Sequence, residues 1–200
     1  MSFKKDNYLI IKKAVPEQLI KFIYDYFLLK REAVKFMYTN NVIQEHTLFG
    51  TWKDAQVPNV FSVYADFAME TLLIKLIPII EKKSKLKLIP TYSYARIYEK
   101  GSILHRHRDR PSCEISTTLN IGGNLWPIFI KKDKKNIKIK LNPGDMLIYS
   151  GCELEHWREE FKGDICAQVF LHYNHINGQF KNTNLYDNRP LLGLPHFIKK

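Results

Sequence analysis

The sequence predicts an α+β fold, with helices first and then about eight strands in a sandwich or small barrel that the N-terminal helices buttress. Three observations predict it. Helical apolar spacing is confined to residues 1–86, and short β-type runs separated by turn signals fill residues 87–174. No repeat, low-complexity stretch or linker divides the 200 residues, a length suited to one domain with a real core. Residues 175–200 are expected to form a C-terminal extension.

The elements follow in order. YLIIKKAV reads as a strand, and Pro16 opens a helix to about Met37, with Leu19, Ile20, Ile23, Phe27 and Leu28 apolar. Residues 38–60 read as irregular. Phe61 to Lys83 reads as a second apolar helix that Pro78 kinks. Then come KLIPTYSYARIY, SILHRHRD, CEISTTLNI, WPIFIKK, NIKIKL, DMLIYSG and DICAQVFLHY, separated by KGS, GGN, KKDKKN and NPGD. On DICAQVFLHY, the apolar face of Ile165, Ala167, Val169 and Leu171 should pack on the helices. Cys166, Gln168, Phe170 and His172 should look the other way.

Composition excludes little. At 45% hydrophobic and 26% charged it is ordinary for a globular protein. Cys113, Cys152 and Cys166 form an odd set without close pairing and read as reduced core residues. The N-terminus lacks the pattern of a signal peptide, and residues 61–80 carry Asp66, Glu70 and Lys75 within the most apolar stretch. The expectation is a cytoplasmic protein without a membrane span. The net charge of +11 comes from scattered lysines more than from one basic face.

The chemistry concentrates in LHRHRDRP, residues 104–111. On an extended strand His105, His107 and Asp109 would share a face, with Arg106, Arg108 and Arg110 opposite. His156 follows after 46 intervening residues, enough chain to cross a barrel and return. Two histidines and a carboxylate meeting there would form a facial metal triad, and imidazole with carboxylate suits Fe(II).

The setting of His-x-Asp is more specific than the tripeptide. A Tyr-x-x-Gly turn (Tyr98 to Gly101) leads in, STTLNIGG follows, NPGDMLIYSG precedes His156, and a long apolar strand closes the run. In that order the segments resemble the 2-oxoglutarate/Fe(II) oxygenases, nearest the prolyl-4-hydroxylase-like branch, over about residues 87–174. The resemblance implies a double-stranded β-helix (jelly-roll) core, with His107, Asp109 and His156 as iron ligands. It implies Fe(II) as cofactor, with 2-oxoglutarate and O2 as co-substrates. The implied reaction hydroxylates a C–H bond of a prolyl, peptide or small acidic substrate, giving succinate and CO2. Cupins form the rival reading, because His105 with His107 suits their His-x-His pattern. A basic β-barrel binding nucleic acid through Lys131, Lys132, Lys134 and Lys135 is a third.

One departure stands out. The resembled branch carries its 2-oxoglutarate-binding cation about ten positions after the distal histidine, where this chain has Ile165 and Cys166. A bidentate guanidinium suits the far carboxylate best. The candidate replacements, in order, are Arg158, Arg96 and Arg110, with Gln168 also facing the pocket. Tyr98 matches the branch's pocket-lining tyrosine, and Thr117 stands where it often has a tyrosine hydroxyl. Tyr94, Arg96 and His105 are expected on the substrate side.

Overall fold

The computed structural model describes residues 2–180 and 184–200. It contains helices α1 (Phe3–Asp6), α2 (Glu17–Thr39), α3 (Phe67–Lys75) and α4 (Ile77–Ser84). Its strands are β1 (Tyr8–Ile11), β2 (Phe61–Tyr64), β3 (Leu88–Glu99), β4 (Leu104–His107), β5 (Ile115–Gly123), β6 (Ile128–Lys132), β7 (Lys135–Ile139), β8 (Met146–Ser150), β9 (His156–Arg158) and β10 (Ile165–His175).

They form a six-stranded sheet in the order β1-β8-β5-β10-β3-β2 and a four-stranded sheet in the order β4-β9-β6-β7. Every strand pair is antiparallel. From β3 onward the chain crosses between the sheets at every step except the β6–β7 hairpin, which stays within the smaller sheet, as in a double-stranded β-helix. No described helix is long and apolar enough to cross a membrane.

Both faces of the larger sheet are buried. Its outer face presents Ala95, Ile97, Leu119, Ile148, Ala167, Val169 and Leu171 to Ile20, Ile23 and Phe27 of α2 and to Met69, Leu73 and Ile80. At about 25 cal/mol per Å² this burial is the main force holding helices to sheet. The expected apolar face of β10 therefore packs as predicted. The inner face carries Gln168, Phe170 and His172 toward the smaller sheet.

The expectation of one helix over residues 61–83 is wrong. Phe61–Tyr64 is an edge strand paired with β3, Phe61 opposite Ile97 and Tyr64 opposite Tyr94. Its aromatic and β-branched residues suit that pairing. Ala65 then turns through φ 56°, and Asp66 caps α3 by accepting from the Ala68 and Met69 backbone N–H groups at 2.9 and 3.2 Å. Pro78 stands in the first turn of α4, where its missing N–H costs nothing. The predicted kink is thus a break at Leu76.

Candidate metal centre

A defect in strand pairing aims the first histidine. Leu104 pairs with Arg158 and His107 with His156, so three steps along β4 match two along β9. The extra residue turns His107 inward beside His156 and leaves His105 exposed. Simple alternation therefore misplaced His105, whose side chain lies outside the cluster and the cavity. Asp109 lies beyond the strand, held by its backbone N–H donating to the Gly151 carbonyl at 2.9 Å.

His107, Asp109 and His156 bring three ligand-type atoms within 4.8 Å of one another. Asp109 Oδ1 lies 3.5 Å from Nε2 of each histidine. The second polar atom of every member is already engaged. His107 Nδ1 donates to the His105 carbonyl at 2.8 Å, and His156 Nδ1 to the Leu154 carbonyl at 2.9 Å. A carbonyl only accepts, so each Nδ1 carries a proton, and in the neutral ring each Nε2 offers a lone pair. Asp109 Oδ2 accepts from Ser116 Oγ at 2.6 Å, which frees Oδ1. Two imidazole lone pairs and a carboxylate oxygen thus converge, a donor set that fits a divalent cation.

The electrostatics agree. Burial works against the Asp109 charge, but hydrogen bonds from both imidazoles, donated when their Nε2 atoms are protonated, hold its carboxyl well below the usual range. Burial also opposes charge on His107, which Asp109 and the His105 carbonyl nevertheless raise. Ser116 spends its proton on Asp109, so His172 Nδ1 donates to Ser116 Oγ at 3.0 Å. Burial pushes the His172 imidazole down to about 4 and keeps it neutral. Tyr149 places its hydroxyl 3.3 Å from His156 Nε2.

The cluster opens on a cavity of about 450 Å³. Leu104, Ile128, Tyr149, Phe170 and His172 line it near the cluster. Thr51, residues 53–56, Tyr64, Tyr92, Tyr94, Arg96, Arg110 and His196 also line it. Arg96 and Arg110 are already paired with aspartates. Arg96 Nε donates to Asp54 Oδ2 at 2.8 Å and Nη2 to Gln56 at 2.8 Å. Arg110 donates two bonds of 2.8 Å to Asp187.

Arg158 is different. It is 1% exposed and, among the described residues, has no carboxylate partner. Its guanidinium donates to the Trp126 carbonyl and, at 3.3 Å each, to Thr118 Oγ1 and Gln168 Oε1. Its Nε has no partner among the described residues, and burial lowers its affinity for the proton. A buried, uncompensated cation with an orphan donor fits an anionic ligand. Neither Arg158 nor its neighbours Gln168, Cys166 and Tyr98 line the open cavity. The small Cys166 side chain on β10 leaves room for the guanidinium arriving from β9.

Thr117 faces away from this group. Its hydroxyl accepts from the Leu171 backbone N–H at 3.1 Å, on the face where Ile115 and Leu119 meet the helix-side core. The inward threonine is Thr118. Trp126 and Trp157 pack against Tyr98 and Phe129, respectively. Of the candidate lysines, Lys132 pairs with Asp6 and Lys131 lies 3.7 Å from Glu155. Lys134 and Lys135 are exposed.

Sequence reasoning missed Ser116, Gly151 and Asp187. A Cβ on Gly151 would lie 2.4 Å from Asp109 Oδ2 and 2.3 Å from the Cys113 carbonyl, so glycine is required for the carboxylate to fit. The quoted NPGDMLIYSG already contained it.

No protein-family model and no curated protein matches the sequence. Solved structures do. A Pseudomonas putida prolyl-4-hydroxylase aligns at TM-score 0.63 and 12% identity, over 86% of this chain and 94% of that one. HygX from Streptomyces hygroscopicus, solved with nickel and 2-oxoglutarate bound, aligns at TM-score 0.62 and 9% identity, over 86% and 84%. A 2OG-Fe(II) oxygenase family oxidoreductase from Burkholderia pseudomallei aligns at TM-score 0.58 and 12% identity, over 86% and 87%. The chain therefore has the double-stranded β-helix fold of these 2-oxoglutarate/Fe(II) oxygenase structures.

Proposed function

We propose that the protein is an Fe(II)- and 2-oxoglutarate-dependent dioxygenase that hydroxylates a C–H bond of a small-molecule or peptide substrate, with succinate and CO2 as co-products. The observation that carries this reading is the convergence of His107 Nε2, His156 Nε2 and Asp109 Oδ1, each fixed through its other polar atom. Three ligands on one face leave room for co-substrate and O2. When bound, iron and 2-oxoglutarate supply oxidising chemistry that no side chain here has.

The chain's own residues bind, orient and exclude water. Arg158 holds the far carboxylate of 2-oxoglutarate, oriented by Thr118, Gln168 and the Trp126 carbonyl, with Tyr98 beside it. Arg96 and Arg110 rank behind it because Asp54 and Asp187 already neutralise them. Leu104, Ile128 and Phe170 keep the inner cavity apolar. Tyr94 and Arg96 line the substrate side, where about 450 Å³ suits a small molecule or one peptide side chain.

The test is an anaerobic Fe(II) titration with and without 2-oxoglutarate, following the charge-transfer band of the chelate. Wild type should develop the band only with both present, and His107→Ala and Asp109→Ala should lose it. A wild type without the band, or variants that keep it, would overturn the reading.

A further inference from the structure

The C-terminal segment returns to the metal loop from 77 residues beyond Arg110. Asp187, 3% exposed, accepts from four donors there. Arg110 supplies Nη1 and Nη2 at 2.8 Å each, while Ser112 Oγ and Tyr64 Oη each donate at 2.7 Å. Arg110 directly follows Asp109, and Ser112 lies in the turn Pro111–Cys113 that leads into β5.

Delivering this carboxylate costs backbone strain. Tyr186, Asp187 and Asn188 are consecutive non-glycine residues at φ 53°, 57° and 62°. Such a run persists only where its surroundings over-determine it. Here Arg189, fully buried, anchors it by donating to Glu70 Oε1 at 2.7 Å and the Thr91 carbonyl at 3.1 Å.

The core holds the backbone of the metal turn. Asp109 N–H donates to Gly151, Asn174 Nδ2 donates to the Pro111 carbonyl at 2.8 Å, and Thr91 Oγ1 donates to the Ser112 carbonyl at 2.7 Å. Asp187 holds the side chains of the same turn. We propose that Asp187 is a positioning residue for the metal centre, acting through Arg110 and Ser112 to fix the direction of the Asp109 carboxylate. This rests on the metal reading above.

The experiment is a Co(II) titration of the full chain, reading both the dissociation constant by chelator competition and the visible d–d spectrum. Wild type should bind one Co(II), and His107→Ala should not. Asp187→Asn keeps the size but loses the charge that gathers the donors. It should bind at least tenfold more weakly, with an altered spectrum and unchanged far-UV circular dichroism. Tyr64→Phe removes one donor to Asp187, a hydroxyl with no hydrogen bond to any of the three ligands. It should shift the constant several-fold in the same direction, and it decides the matter if Asp187→Asn does not fold.

Arg110→Gln combined with Asp187→Asn should lose little beyond the single change. If Asp187→Asn lowers only the melting temperature, with constant and spectrum as in wild type, Asp187 is merely structural and the proposal fails. If wild type binds no Co(II), or His107→Ala binds it equally, the metal reading itself falls and takes the positioning role with it.

Discussion

Ser116 Oγ donates to Asp109 Oδ2 at 2.6 Å, so a serine on β5 decides which carboxylate oxygen is left facing His107 and His156. Ser116→Ala leaves Asp109 free to rotate and strands the His172 N–H. Removing such an outer partner weakens metal sites by roughly 10–100-fold. Fe(II) affinity measured by chelator competition should fall by about that much. An unchanged affinity would mean that the serine does not orient the ligand.

Gly151→Ala should damage stability and metal binding together. The new Cβ meets the Cys113 carbonyl oxygen at 2.3 Å and Asp109 Oδ2 at 2.4 Å, and a backbone atom cannot step aside as a flexible side-chain end can. Overpacking of this kind costs about 1–3 kcal/mol. Urea unfolding of the metal-free protein should show that loss, with affinity for Co(II) falling in parallel. Full affinity in a variant of wild-type stability would contradict the packing argument.

The legible parts of the fold were those whose pattern repeats along the chain. The period-2 alternation of β10 gave the helix-facing row Ala167, Val169 and Leu171, and the ordered motifs gave His107, Asp109 and His156. What sequence reasoning lost depends on partners distant in sequence. FSVY is a strand only because β3 offers an edge, and an apolar run of that length does not distinguish strand from helix. Thr117 and Thr118 exchanged faces because no local signal fixes the parity of STTLNI, where nearly every position is buried. His105 kept the parity of His107 on paper and lost it to one extra residue in β4. The pairing of Arg110 with Asp187 links a core loop to the C-terminal segment, and no spacing rule reports such a contact.

His172 should give the protein a stability limb in mild acid. The buried imidazole protonates near 4, whereas an unfolded histidine does so near 6.5. Between those values the unfolded chain binds the extra proton, so stability is fully present above about pH 6.5 and falls as pH drops through about 4. A shift of that size corresponds to about 3 kcal/mol. Urea denaturation of the metal-free protein at pH 7 and pH 4.5 should show a decline that His172→Gln reduces. Identical declines in the two proteins would assign the limb to other groups.

Arg158 carries the prediction that separates co-substrate binding from metal binding. Among the described residues its guanidinium is buried without a carboxylate and keeps an unpartnered Nε, whereas Arg96 and Arg110 are committed to Asp54 and Asp187. Arg158→Lys retains a charge but loses the fork that grips a carboxylate bidentately. Losing charge-assisted bonds worth about 3 kcal/mol in total weakens binding by roughly 100-fold. The 2-oxoglutarate concentration that half-saturates the Fe(II) charge-transfer band should rise by about that factor. Fe(II) affinity without 2-oxoglutarate should stay at its wild-type value, because Arg158 touches none of the three ligands. If Arg96→Lys raises the half-saturating concentration and Arg158→Lys does not, the far carboxylate is held at the cavity wall by Arg96, and Arg158 is a packed core residue.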